Sequence, residues 1–170
     1  KNSFASPTPV FEDGRIYAHF GHFGTACMGA DGKILWKTQE VAYKPVHGNG
    51  GCPVIVDDLL IFDADAAASP SIIALDKSTG KVRWKVARDE KTSWSTPLVV
   101  EHEGKPQIIV SATKRVRGYD LATGTQLWEC AGLTDNVVSS PVFSQGVVIA
   151  GNSYYQQAML AIRLAGAKGD

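Results

Sequence analysis

Apolar residues along this chain come in short dense runs: Leu59-Leu60-Ile61-Phe62, Ile108-Ile109-Val110 and Val147-Val148-Ile149-Ala150 contain no alternating polar residue. Runs of this kind are what strands covered on both faces look like. Each follows a shorter apolar stretch headed by proline, and Pro9, Pro53, Pro97 and Pro141 recur at intervals of 44 residues. Four modules follow, opening "TPVFEDG", "CPVIVDD", "TPLVVEHEG" and "SPVFSQG". In each, a turn signal (Asp13-Gly14, Asp57-Asp58, Glu103-Gly104 or Gln145-Gly146) separates the first two runs, as in a hairpin. No segment repeats apolar residues at helical spacing over ten or more positions, so the pattern predicts an all-β chain.

The second half of a module is clearest in "ALDKSTGKVRW", residues 74–84, and "GYDLATGTQLW", residues 118–128, which share Asp-x-x-Thr-Gly-x-x-x-Trp. An Asp at the head of a turn accepts backbone N–H groups two and three residues on, while the Gly takes the left-handed conformation that reverses the chain. Asp76 with Gly80 and Asp120 with Gly124 fit this reading. The first module keeps Gly32 and Trp36 but has Met28 in the Asp position, so Asp31-Gly32 is expected to supply the turn. Gly stands four before Trp in all three modules, at 32 and 36, 80 and 84, 124 and 128. The regularity suggests an indole lying over backbone that only glycine leaves uncovered.

Each module therefore holds four strands, with boundaries near 6–40, 50–88, 93–132 and 137–170. The fourth is incomplete: Arg163 occupies the Asp position, Ala167 the Gly position, and the Trp would fall one residue past Asp170. The loop "EVAYKPVHGNGG", residues 40–51, is where the first module departs from the others. An irregular loop on a regular scaffold is a place to look for a ligand contact, or it is a plain connector.

With 170 residues and 44% hydrophobic content, the chain can build a core. Seventeen Lys and Arg balance seventeen Asp and Glu, so no global field favours nucleic acid or an anionic membrane surface. No apolar stretch is long enough to span a bilayer, and "KNSFASPTPVF" lacks the apolar core of a signal peptide. Cys27, Cys52 and Cys130 show neither even number nor C-x-x-C spacing. Small buried thiols are the expected state, with one bridged pair as the alternative.

Candidate chemistry is sparse. His19 and His22, with His47 as a third ligand, are the nearest approach to a metal site, but they lack a carboxylate or Cys at matching spacing. Rim histidines are the expected reading. Asp63 and Asp65 form a small acidic cluster without the pattern of a calcium loop, and are expected as solvated turn residues. Lys114-Arg115-Val116-Arg117 is the one basic run; it lacks the cations and aromatic partners of a polynucleotide site and reads as a solvated strand edge. Tyr154-Tyr155-Gln156-Gln157 lies in the loop matching "DAAASPS" and "TKRVR". These three loops are expected on one face, making Tyr154, Tyr155, Arg115, Arg117 and Asp65 the candidate binding surface.

The A-x-D-x-x-T-G-x-x-x-W turns, followed by Ser/Thr-Pro-Val strands, resemble the tryptophan-docking repeats of the pyrroloquinoline quinone-like (PQQ-like) β-propellers of bacteria, from Ser6 to about Leu164. The resemblance implies four-stranded antiparallel blades in a ring of seven or eight, of which about four are present. The remainder would be further blades of a longer protein, a second copy completing the ring, or nothing, if four blades close alone. It further implies a periplasmic, cell-envelope or secreted location and a non-catalytic scaffold with a protein partner. Quinoprotein dehydrogenases use the same blades, with quinone and calcium on the axis, adjacent cysteines and a Glu, Asn and Asp calcium set. No Cys-Cys occurs here, so no cofactor is expected. A carbohydrate-binding propeller is the third reading.

Overall fold

The computed structural model describes residues 5–66 and 68–170. Among them the chain is strand, turn and loop, with one short 3-10 turn at Gly21–Phe23 as its only helical element. The first sheet comprises β1 (Val10–Glu12), β2 (Arg15–His19), β3 (Thr25–Gly29) and β4 (Ile34–Thr38). The second comprises β5 (Val54–Val56), β6 (Leu59–Ala64), β7 (Ser71–Asp76) and β8 (Val82–Ala87). The third comprises β9 (Leu98–His102), β10 (Lys105–Ala112), β11 (Arg115–Asp120) and β12 (Gln126–Ala131). The fourth has three strands, β13 (Val142–Ser144), β14 (Val147–Asn152) and β15 (Ala158–Arg163). Every sheet is an antiparallel meander in chain order. The chain is an all-β propeller segment of three complete blades and a fourth of three strands.

Two-residue hairpins join the first and second strands. In three of them both residues have positive φ, as at Asp13 (48°) and Gly14 (73°), the backbone that matches the twist of the flanking strands. The meander leaves these hairpins and the Asp-headed turns on one side. The loops between second and third strands and the connectors between blades lie on the other.

Packing between blades accounts for the dense apolar runs. Leu60, Phe62, Ile73 and Leu75 of the second blade pack on Tyr17, Cys27 and Trp36 of the first. The opposite face of the same strands, Leu59, Ile61, Ile72 and Ala74, meets Ile108, Val110, Tyr119 and Leu121 of the third. A third cluster joins Ile109, Val116 and Trp128 to Val148, Ala150, Leu160 and Ile162. Because β6 and β7 have neighbours on both sides, they lose the alternation that β8 keeps.

A second seam runs at the first strands. The residue before each repeat proline carries a hydroxyl or thiol, and those of Cys52, Thr96 and Ser140 accept the backbone N–H of the counterpart one blade earlier. Thr8 donates to Cys52 Sγ at 3.2 Å, Cys52 to Thr96 Oγ1 at 2.9 Å, and Thr96 to Ser140 Oγ at 2.8 Å. The proline that follows has no N–H to offer, so this amide is the donor available at the start of each blade. All three cysteines are free; Cys27 is buried, while Cys52 and Cys130 are only partly so, which corrects the expectation of uniform burial.

Candidate functional site

The signature turns have the hydrogen bonding that their residue types dictate. Asp76 Oδ1 accepts the N–H groups of Ser78 and Thr79, both at 3.0 Å, and Asp120 Oδ1 accepts that of Thr123 at 2.8 Å. Hydrogen bonds, first from the Ser78 hydroxyl, hold the Asp76 carboxyl down at about 2. In the first blade, Asp31 Oδ1 accepts Lys33 N–H at 3.1 Å.

Two of the three indoles reach forward across a blade boundary. Trp36 lies over Gly80, where an added Cβ would come within 2.5 Å of the ring, and its Nε1 donates to Lys77 O at 3.0 Å. Trp84 repeats this on Gly124, at 2.6 Å, donating to Leu121 O at 3.2 Å. Both glycines have positive φ, 73° and 72°, so turn geometry and indole packing each favour glycine there. Each indole thus covers the glycine of the next blade.

Trp128 behaves differently and departs from the expected pattern. Its indole folds back over Gly118 of its own blade and donates to Gln107 Oε1 at 2.8 Å. The position opposite Trp36 is Cys27 and that opposite Trp84 is Ala74, whereas Gly118 faces Trp128. Losing that one Cβ opens the space the ring occupies. The tail then runs outside it, Gly169 bridging to β12. Gly32 carries no indole; nothing lies within 4 Å of where its Cβ would be.

Several charged residues expected in solvent are buried between the second and third blades. Asp63 and Asp65, at 4% and 1% exposure, are core residues and not solvated turn residues. Ser93 donates to both carboxylates, and Arg88 lies 3.5 Å from Asp65 and 3.6 Å from Glu90. Arg117, at 2% exposure, is not part of a solvated edge. Its Nε donates to Glu129 Oε2 at 2.9 Å and its other nitrogens to Glu90 and Asp89. Arg115 donates to Glu129 from the rim. Burial, then the neighbouring Asp65 charge, pushes Asp63 up to about 7, and burial pushes Glu90 up to about 7.

Both acids hold their protons more tightly folded than unfolded, so their contribution to stability is present below their ordinary values and is lost as pH rises from about 4 towards 7. These two acids outweigh the single buried His19, whose lowered pKa acts in the opposite sense below its ordinary value, so the thermal midpoint should fall between pH 5 and pH 8, and Asp63→Asn should flatten that slope. A slope unchanged in Asp63→Asn would contradict the assignment.

The histidines do not converge. His19 is buried at the end of β2, stacked on Phe62 at 4.1 Å and bonded to Thr25 Oγ1 at 2.9 Å, and burial lowers its pKa to about 4. It is a core residue and not a rim histidine. His22 is exposed on the 3-10 turn, and His47 stacks on Trp94 in a separate connector. Among the described residues no group of three or more His, Cys, Asp or Glu could hold a metal ion.

Of the expected binding face, Tyr154, Tyr155 and Arg115 do meet, lining a cleft with Lys114, Asp135 and Gln156. Arg117 and Asp65 belong to the buried network below it. The neighbouring cleft, of about 440 Å³, was not anticipated; it is lined by His47, Gly50, Trp94, Thr96, Asn136, Val138, Ser140 and Tyr154. Gly50, Trp94 and Val138 occupy the same register in successive connectors, 44 residues apart. A Cβ on Gly50 would sit 2.9 Å from Trp94 Cβ and Cδ1, so a glycine in one repeat makes room for an indole in the next.

Blades docked in series by forward-reaching indoles define a PQQ-like β-propeller repeat protein. A family model described as outer membrane protein assembly factor BamB matches residues 25–168, and the chain belongs to that family. Its relatives include an outer membrane protein assembly factor BamB of Francisella salina, 27% identical over 97 residues, which are 57% of this chain and 17% of the relative. Subunit 1 of a methanol dehydrogenase [cytochrome c] of Methylobacterium organophilum is 25% identical over 139 residues, 71% of this chain and 22% of that protein. The chain thus spans about a fifth of the length of these relatives. BamB from Moraxella catarrhalis superposes with a TM-score of 0.68 at 14% identity, over 96% of this chain and 48% of that one, a likeness of fold. No helix among the described residues is long and apolar enough to cross a membrane.

Proposed function

We propose that this chain is a rigid, non-catalytic propeller scaffold that presents a protein-interaction surface in the periplasm or cell envelope of a bacterium. The observation that carries the reading is the division of labour along the repeat. The positions that recur (Asp76 and Asp120, Gly80 and Gly124, Trp36 and Trp84, Thr96 and Ser140) hold turns and blades together. The positions that differ between repeats, Trp94, Tyr154 and Tyr155 among them, gather on the connector face, where a binding surface on a rigid frame is expected. Relatedness to BamB supports a protein partner, and the share of those relatives that the chain spans leaves room for further blades as part of the partner surface.

Relatedness to a methanol dehydrogenase favours a second reading, part of a quinoprotein with quinone and calcium. The residues present do not fit that pair: no two cysteines are adjacent, and among the described residues no three or more His, Cys, Asp or Glu are placed so that they could hold a metal ion. An absorbance spectrum taken after incubation with pyrroloquinoline quinone and calcium, followed by gel filtration, separates the two. A scaffold elutes colourless; co-elution of the chromophore at unit stoichiometry would overturn the proposal.

A further inference from the structure

The cleft between the connectors has a lining that the scaffold role does not call for. Trp94 and His47 stack with ring centroids 6.2 Å apart and an interplanar angle of 24°, forming a wall built from two blades. Tyr154 contributes from the loop before β15, half exposed. Its ring packs edge-on against Tyr155 at 4.3 Å. Tyr155 is 85% exposed and held at a φ of 63°, a backbone region that costs a bulky side chain on the order of 1 kcal/mol. The loop is tied down by Thr134, whose hydroxyl donates to Tyr154 O at 3.4 Å.

The polar groups between these rings are all neutral or aromatic nitrogen. Thr96 Oγ1 and Ser140 Oγ each accept a backbone N–H, and among the described hydrogen bonds neither hydroxyl is used as a donor. Each retains a proton to give. The Asn136 side chain makes no described hydrogen bond, and its backbone holds a φ of 58°. No Lys, Arg, Asp or Glu lines the cleft, although charged residues line the adjoining one. The volume of about 440 Å³ lies within the usual range of small-molecule sites, in which apolar walls supply contact and a few placed polar groups supply orientation.

We propose that this cleft is a binding site for a neutral saccharide, one or two hexose units. A pyranose ring has an apolar C–H face that suits an aromatic wall and a rim of hydroxyls that both donate and accept. Thr96, Ser140 and Asn136 offer groups of that reciprocal kind, whereas an ionised ligand would find no countercharge. Where the repeats depart from one another, at Gly50, Trp94 and Val138 and in the irregular 40–51 loop that supplies His47, they depart to build this site. The proposal does not rest on the scaffold reading, since it concerns a ligand and not a protein partner.

The test is titration of the whole chain with cellobiose, maltose, N,N′-diacetylchitobiose and digalacturonic acid, read by calorimetry and by Trp94 indole N–H shifts in NMR. An immobilised glycan array extends it to glycan ends. At least one neutral sugar should bind saturably, with affinity unchanged in 0.5 M salt and reduced about tenfold or more in Tyr154→Ala, the scale of a lost aromatic contact. Tyr154 is half exposed, so this variant keeps its fold. His47→Ala, also at an exposed position, should weaken binding as well. Binding of the acidic sugar alone, insensitivity to both variants, or no binding by any neutral glycan on the array overturns the proposal.

Discussion

Arg117→Met should destabilise the chain by about 3 to 5 kcal/mol, the scale seen when one partner of a buried ion pair is removed. Arg117 is a strand residue with 2% exposure whose guanidinium serves Glu129, Glu90 and Asp89. Methionine fills much of the volume but leaves Glu90, itself 5% exposed, without the guanidinium that donates a hydrogen bond to it. Glu90 is already held towards its neutral form by burial, and Arg88 and Arg117 oppose that shift. The double variant Arg117→Met, Glu90→Gln should therefore lose less than Arg117→Met alone. Chemical denaturation measures both. A loss below about 1 kcal/mol, as for an exposed pair, would show that the network is solvated.

Trp84→Ala should cost about 3 kcal/mol, the lower end of the range for large-to-small changes of aromatics, because the indole is only partly buried. The indole joins the cluster between the second and third blades, covers Gly124 and donates to Leu121 O. Removing it opens the boundary at its outer edge, where β8 has no further strand to hold it. Trp128 lies over a glycine of its own blade and also belongs to the cluster between the third and fourth blades, so its ring holds the third blade's own strands as well as lining that boundary. The two tryptophans share a motif and differ in which boundary they hold.

Most of the fold was legible because repetition multiplies weak signals. The proline ruler fixed four modules, the dense apolar runs marked strands with neighbours on both sides, and Asp-x-x-Thr-Gly placed the third turn. Residues whose role depends on a neighbouring blade were less visible. Asp63, Asp65 and Arg117 look solvated when read along one strand, because their partners Arg88, Ser93 and Glu90 come from a connector and Glu129 from the next strand. The register gives one clue, since Arg117 directly faces Glu129. Likewise Trp128 was expected to repeat the packing of Trp36 and Trp84, and the glycine opposite it, in place of Ala74, was the signal that it would not. The neutral cleft was half visible: the irregular 40–51 loop was marked for a ligand contact, but Trp94 was not, lying outside every recurring motif.

Blades pinned in series by an indole of one on a glycine of the next are the centre of this account, and a double-mutant cycle between Trp84 and Gly124 tests it directly. An alanine at 124 carries costs that do not depend on the indole, from its positive φ of 72° and from Val86 Cγ2 at 2.9 Å, and a further steric cost only if the indole is there. The cycle cancels the first and isolates the second. Gly124→Ala should be more costly in the native background than in Trp84→Ala, with a coupling of about 1 kcal/mol or more, as for residues in contact. Additivity within about 0.5 kcal/mol, the behaviour of distant sites, would mean that the indole does not rest on that glycine.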